Sequence, residues 1–321
     1  MNKTKYTFLL PAYKARFFEE ALLSIKNQTY TDFKVIVSDD CSPEDLKSIY
    51  DKVCGDDPRF TFRRNKENMG SKSLVSHWNL LVDMCDTEWL IMAGDDDVYA
   101  PTFLEEMDKL QVKYPNVDLL HARAKVIDAE GDVIKLDSAY DECVSQLEFL
   151  TQYHYYNHVE CIGNYVIKQN KLFDCQGFVE MPLAWFSDTI TTSILSKSGV
   201  ANSALFLFNF RLSGMNISSR KDRIFKNNVC KAIVSYDDIM TSLISNIEIK
   251  NSLESLELIR YKSVYANNLA SLMLNYIDGV TISDFFYYIK VFRRKKYISK
   301  ILILSYLKKW LYSFVKKIRY D

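Results

Sequence analysis

Between residues 5 and 120 short β-rich runs alternate with amphipathic helical segments, and that alternation constrains the fold more than any other feature. Thr7–Pro11 (TFLLP), Phe33–Ser38 (FKVIVS), Phe60–Arg63 and Glu88–Ala93 (EWLIMA) are predicted strands. Phe17–Gln28, Pro43–Lys52, Ser71–Met84 and residues 101–114 are the intervening helices. In the first of these, Phe18, Ala21, Leu22 and Ile25 share one face. Ser42 is the expected N-cap of the second, and Pro101 stands in a first turn, where proline is tolerated. Strands separated by helices of this length are joined by right-handed crossovers, so the expectation is an α/β domain with a mainly parallel sheet. Further on, Val117–Ile127, Val133–Leu136 and Ala204–Phe210 are predicted strands. Thr189–Lys197 is a predicted helix with Ser187 or Asp188 as its cap. From about residue 222 the pattern is helical throughout, which divides the chain into 1–220 and 221–321.

Ligands of open α/β sheets bind outside the carboxyl ends of the strands. Here those ends read Pro11-Ala12-Tyr13, Asp39-Asp40-Cys41-Ser42 and Gly94-Asp95-Asp96-Asp97. Aspartate is common in turns, so one pair carries little weight. Three adjacent carboxylates repel one another and are costly unless a cation neutralises them.

Charge and cysteine content narrow the classes. With 41 basic against 41 acidic residues, the chain lacks the basic excess of a nucleic-acid binder. The balance hides a segregation, because residues 284–321 hold eleven Lys/Arg against two acids. There, aromatic and aliphatic residues interleave with lysines, a composition suited to a helix lying on an anionic membrane surface. The seven cysteines are scattered with neither disulfide nor metal spacing, so free thiols in a reducing compartment are expected. The N-terminal apolar run is too short for a signal peptide, and no stretch is long and apolar enough to span a bilayer. The expected location is the cytoplasm, peripheral on the inner membrane face.

The run FLLPAYKARFFEEALLSIKNQTYTDFKVIVSDDCSPEDL (residues 8–46) resembles the opening of family 2 glycosyltransferases, inverting enzymes of the GT-A fold that use nucleotide-activated sugars. The matching landmarks are Pro11 and Tyr13, Ser24-Ile25 with Gln28-Thr29, Asp39-Asp40 with Ser42, the acids Asp95–Asp97 followed by Pro101, and Trp185-Phe186-Ser187-Asp188. The resemblance covers roughly residues 5–215. It implies that Asp40 hydrogen-bonds the imide N–H of a pyrimidine base in a pocket lined by Pro11, Ala12 and Tyr13 beside Asp39. It implies that Asp96 is the principal ligand of Mn²⁺ or Mg²⁺ on the donor diphosphate, and that Asp188 is the catalytic base. The first acid of the family's D-x-D falls on Gly94, so either Asp95, on the ribose or a metal-bound water, or Asp97, on the metal, takes its role. Asn68 and Lys72, ahead of Trp78-Asn79, fall where the family lines the nucleotide.

These residue types suit the chemistry. Hard oxygen ligands select Mg²⁺ or Mn²⁺, which bind diphosphates with one or two carboxylates. An acceptor hydroxyl needs a base to take its proton, and one base opposite the leaving group gives inversion, whereas retention by double displacement needs a second carboxylate as nucleophile. The polar loop of Arg211, Ser213 and Asn216 is placed to close over the diphosphate or acceptor, or is an exposed connector; His154 and His158 would meet an acceptor or pack in the core. The expected partners are a nucleotide-sugar, with UDP the expected nucleotide, and a polyprenyl-diphosphate-linked glycan in capsule, O-antigen or exopolysaccharide synthesis, with the helices at 224–277 as an oligomer surface. The alternatives are a polyprenyl-phosphate sugar transferase and a non-catalytic sugar-binding module. A processive synthase lacks support, since neither membrane spans nor Gln-x-x-Arg-Trp are present, and a nucleotidyltransferase would need a Gly-rich loop where Pro11-Ala12-Tyr13-Lys14 stands.

Overall fold

Strand β1 (Tyr6–Ala12) is buried at every position but Pro11, as a central strand covered on both faces must be. It is seen in a computed structural model that describes residues 4–156, 158–159, 161–214, 222–276, 282–294 and 307. Helix α1 (Phe18–Lys26) leads to β2 (Phe33–Asp39), α2 (Leu46–Cys54) to β3 (Phe60–Arg64), and α3 (Leu74–Asp83) to β4 (Trp89–Met92). β1 pairs in parallel with β2 and with β4, and β2 with β3. Then follow β5 (Val98–Tyr99), α4 (Phe103–Lys113), β6 (Leu119–Ile127), β7 (Val133–Leu136), β8 (Cys143–Val144), α5 (Gln146–Tyr156), β9 (Tyr165–Lys168), α6 (Gln169–Asp174), α7 (Ser187–Leu195) and β10 (Val200–Arg211). The sheet runs β3-β2-β1-β4-β9-β6-β10-β5, with β7 on β6 and β8 on β10.

The α/β expectation holds, and its parallel half is β3-β2-β1-β4. The other half is mixed: β9 enters antiparallel between β4 and β6, while β6 and β10 are again parallel. β9 has four residues, too few for a period to stand out. Two caps differ from expectation. Asp45, not Ser42, caps α2 by accepting from Ser48 N–H at 3.1 Å, because Ser42 is spent on the strand ends: its hydroxyl donates to Tyr13 C=O at 2.6 Å. At α7 the cap position is Phe186, with φ of 69°, and neither Ser187 nor Asp188 caps.

The core below the strand ends is aromatic. The Phe8 ring lies edge-on to Phe33 and Tyr99, at 5.8 and 5.1 Å between centroids, and Tyr99 meets Phe103 at 4.8 Å. Gln28 is buried among these elements and explains the Ser-Ile-x-x-Gln-Thr landmark. Its Nε2 donates to Ala100 C=O at 2.8 Å and to Ser24 C=O at 3.1 Å. Its Oε1 accepts from Leu104 N–H at 3.0 Å. Helix α4 has no side-chain cap of its own at Thr102, so a residue from α1's end supplies one. The brace fixes the chain just downstream of the acidic turn.

Contacts divide the chain into two compact units, Met1–Asn216 and Ile217–Asp321. In the second, α8 (Arg223–Ser245), α9 (Ser252–Tyr276) and α10 (Ile282–Arg294) are described. Phe225, Val229, Ile233, Tyr236 and Met240 of α8 recur at helical spacing and are buried. Buried Asp237 accepts from Tyr265 Oη of α9 at 3.0 Å. The membrane-surface helix expected within 284–321 lies, beyond α10 and residue 307, outside the described residues. Among those described, no helix is long and apolar enough to cross a membrane.

Replacing Gln28 by Leu leaves Leu104 N–H without a partner and Ala100 C=O with the Phe103 N–H alone. The expected loss is about 2–3 kcal/mol of unfolding free energy, read from the urea midpoint; a loss below about 0.5 kcal/mol would contradict the brace.

Candidate active site

The turn after β4 carries Asp95, Asp96 and Asp97, all largely buried, and each is held differently. Asp95 Oδ2 accepts the backbone N–H groups of Tyr13 and Lys14, both at 2.8 Å. It therefore ties the end of β1 to the end of β4. Burial pushes its carboxyl up, with Lys14 opposing the shift. Asp97 Oδ1 accepts Arg211 N–H at 3.0 Å, and a Cβ on Gly94 would stand 2.6 Å from Asp97 Oδ2. Burial and then the Asp96 charge push the Asp97 carboxyl well up, which makes it a brace of the turn, with Gly94 giving it room. Asp96 meets the Lys14 ammonium, at 3.2 Å from its Oδ2. Desolvation draws the Lys14 ammonium down, but Asp95 and Asp96 outweigh it and hold the group firmly charged.

Arg211 was expected in a polar loop. It is instead the last residue of β10 and fully buried. Its Nε donates to Asp96 C=O at 2.9 Å, one Nη to Asp128 C=O at 3.3 Å and the other to Glu20 at 2.6 Å. The guanidinium also stacks 4.4 Å from the Phe17 ring centroid. One planar cation thus joins α1, the acidic turn and the β6–β7 turn, a task that needs the fork geometry of arginine. Ser213 lies just beyond, half-buried; Asn216 lies outside the described residues.

The second strand end is built around two aspartates with opposite duties. Asp39 has no exposed surface; one oxygen accepts Ser42 N–H at 2.8 Å and the other pairs with Arg64. It shapes the turn from inside. Asp40 faces the loop after β3: its Oδ1 accepts from Asn65 Nδ2 at 2.7 Å and Met69 N–H at 2.9 Å, and its Oδ2 from Gly70 N–H at 2.7 Å. His77, buried and pushed down towards its neutral form by that burial, bonds Ser38 Oγ at 2.9 Å beside it. Cys41, next in line, has φ of 56°. Pro11 is half-buried, Ala12 buried, and the Tyr13 ring exposed. Asn68 caps its own turn through Ser71 N–H at 2.8 Å, while the Lys72 ammonium pairs with Glu67 at the surface.

Helix α3 connects this loop to the late acidic motif. Ser73 caps α3 and its hydroxyl also donates to Glu180 at 2.7 Å. Asn79 clamps Phe178, accepting its N–H at 2.7 Å and donating to its C=O at 3.1 Å, so it braces that segment. Gly177, at φ +87°, is required there because a Cβ would stand 2.4 Å from Asn79 Oδ1. Leu183, Ala184 and Phe186 then adopt φ of 61°, 56° and 69°. Non-glycine residues pay of order 1–3 kcal/mol each for that conformation. The strained run delivers Asp188 to the first turn of α7, half-buried, with Oδ1 accepting Thr189 N–H at 2.8 Å. Burial raises its carboxyl to about 6 against the lowering pull of the Thr189 hydrogen bonds.

His158 resolves as a core residue: its Nδ1 is 3.0 Å from Asp137 Oδ1, and its ring stacks 3.6 Å from Tyr140. His154 is half-buried on α5, and burial lowers it to about 4.

Among the described residues no three His, Cys, Asp or Glu converge in the manner of a preformed metal cage. The acidic turn would suit a hard cation only in a sparser way, since Asp96 offers it a single carboxylate and the other oxygen ligands would have to come from outside the chain.

The family model for glycosyl transferase family 2 matches residues 7–178. Over 122 residues the chain is 29% identical to an uncharacterized glycosyltransferase of Haemophilus influenzae, covering 37% of this chain and 38% of that protein. Over 94 residues it is 30% identical to the GalNAc(5)-diNAcBac-PP-undecaprenol beta-1,3-glucosyltransferase of Campylobacter jejuni, covering 29% and 30%. The matches thus span well under half the length of these curated relatives. Among solved structures, Staphylococcus aureus TarS (1–349) in complex with UDP-GlcNAc aligns at a TM-score of 0.62 and 15% identity, covering 86% of this chain and 82% of that one. The mannosyltransferase PcManGT of Pyrobaculum calidifontis, in complex with GDP-Man and Mn²⁺, aligns at 0.55 and 13%, covering 86% and 73%. At those identities the likeness establishes the fold, which is GT-A.

Arg211→Met removes the cation on Phe17 and the side-chain donors to the Asp96 and Asp128 carbonyls, the latter keeping only Gly131 N–H at 3.3 Å. We expect a loss of about 3 kcal/mol in urea unfolding, since hydrogen bonds from a charged donor carry ~1.5–3 kcal/mol each. Arg211→Lys should recover less than half, and full recovery by lysine would refute the fork argument.

Proposed function

The chain belongs to glycosyl transferase family 2, and from that premise we propose an inverting transfer of a sugar from a nucleoside-diphosphate donor to a hydroxyl of a glycan acceptor, with Asp188 as base. The observation that carries this reading is the setting of Asp188. A half-buried carboxylate on a strained turn, with its carboxyl raised to about 6, is ionised at neutral pH yet more basic than a solvated aspartate. That is the balance a general base needs. Its place in the first turn of α7 supports the anion through the helix dipole.

The donor's base sits against Tyr13, Pro11 and Ala12, with Asp40 accepting the imide N–H of a uracil. Asp40 already takes three donors from the loop and, as a carboxylate, has capacity for one more. Asp96 holds the divalent cation, and Asp95 and Asp97 set its position through the backbone. When bound, Mg²⁺ or Mn²⁺ supplies Lewis-acid neutralisation of the departing diphosphate. Asp188 takes the acceptor proton on the opposite face, so a single displacement inverts the anomeric centre. The UDP-GlcNAc complex of TarS supports a uridine donor. The undecaprenol named for the Campylobacter relative supports a lipid-linked acceptor. The basic residues of 284–321 support work at the inner face of the cytoplasmic membrane.

Asp188→Asn should abolish transfer while leaving UDP affinity within about threefold, measured by calorimetry. The wild-type rate should rise with pH through about 6 and level off above 7. Stability moves the other way. With the folded carboxyl above its unfolded value of 3.8, this group favours folding below pH 3.8, and that benefit is lost as pH rises through 6. Asp188→Asn should therefore stabilise the protein at pH 8, by up to about 3 kcal/mol. A destabilised Asn variant would instead assign Asp188 to structure. Removing residues 284–321 should end co-sedimentation with phosphatidylglycerol liposomes at 0.1 M salt; unchanged sedimentation would remove the membrane from the reading.

A further inference from the structure

The ammonium of Lys14 lies on the carboxylate assigned to the cation. Its Nζ stands 3.2 Å from Asp96 Oδ2 and 4.0 Å from Asp95 Oδ1. The position is built, not incidental: the Lys14 backbone N–H is fixed on Asp95 Oδ2 at 2.8 Å, and the Tyr13 N–H on the same oxygen at 2.8 Å. Both carboxylates are about nine-tenths buried, whereas the lysine side chain is 31% exposed and has room to move. Burial weakens the screening that would let two cations share one carboxylate. A divalent ion on Asp96 must therefore compete with the ammonium. A donor diphosphate, arriving with the ion, offers the displaced ammonium a new anion.

We infer that Lys14 is a resident counter-ion that keeps the acidic turn neutralised without metal and makes cation binding conditional on the donor diphosphate. The inference rests on Asp96 holding the cation. Lys14 acts here as a positioning residue: it lowers the intrinsic cation affinity of Asp96 and converts it into coupling between cation and nucleotide. Coupling of this kind is reciprocal, so Mn²⁺ must strengthen UDP binding by the factor by which UDP strengthens Mn²⁺ binding.

The test is Mn²⁺ binding to the full chain, read from the electron paramagnetic resonance signal of free Mn²⁺, with and without UDP. In the wild type, UDP should tighten Mn²⁺ by at least tenfold. Lys14→Met should tighten Mn²⁺ about tenfold in the absence of UDP and lower the coupling factor by a similar amount. Lys14→Arg, which keeps the charge, should retain weak intrinsic binding and the coupling; it also serves if the Met variant fails to fold. Unchanged or weaker Mn²⁺ binding by folded Lys14→Met without UDP, or loss of the coupling in Lys14→Arg, would overturn the counter-ion role. Should Asp96→Asn still abolish UDP-dependent Mn²⁺ binding in that case, the cation at Asp96 survives. Absence of Mn²⁺ binding to the wild type even with saturating UDP would overturn both.

Discussion

The site depends on one carboxylate that receives two backbone N–H groups. Asp95 binds Tyr13 and Lys14 where β1 has left its ladder and those donors have no strand partner. An unmade backbone hydrogen bond at a buried strand end is expensive, and a carboxylate is the strongest acceptor available for it. Satisfying that need brings an acid to the very place where the next two residues are also acids. The repulsion this creates is answered on two sides, by Lys14 on Asp96 and by the Arg211 N–H on Asp97, while burial pushes the Asp97 carboxyl well up. The acidic turn is thus a compact electrostatic solution to the problem of ending parallel strands side by side.

The same logic, with different partners, builds the other half. Asp40 draws the loop after β3 into place through Asn65, Met69 and Gly70. The loop leads directly into α3, whose cap Ser73 and whose Asn79 hold the segment at 177–180. That segment runs into the turn before Asp188. A continuous series of polar contacts therefore connects the strand-end aspartate to the late one, and each member is a short-range hydrogen bond.

Legibility in the sequence followed the physical signal. Buried central strands are contiguous apolar runs, and β1, β2 and β4 were recognisable as such from TFLLP, FKVIVS and EWLIMA. Acids at strand ends stand out because they interrupt those runs. What could not be read was which partner each polar residue finds across the fold. Arg211 sits in a stretch of serines and asparagine that has the composition of a surface loop, yet it is the most deeply committed cation of the first unit among the described residues. Gln28 carried a family pattern without a visible reason, since its partners are 72 and 76 residues away. Ser42 had the local look of a cap, and a contact with Tyr13 claimed it. Periodicity reports which face is buried; it carries no information on long-range pairing.

The backbone before Asp188 has one further consequence. Leu183, Ala184 and Phe186 lie in the left-handed region, but Trp185 between them has φ of −68° and ψ of 118°. Left-handed positions accept glycine, asparagine and aspartate readily and exclude β-branched side chains. At those three sites this chain holds Leu, Ala and Phe, each at a backbone cost, whereas the conformation of Trp185 is one that any residue adopts. Of these four residues leading towards Asp188, position 185 is thus the one where a β-branched side chain enters without backbone strain.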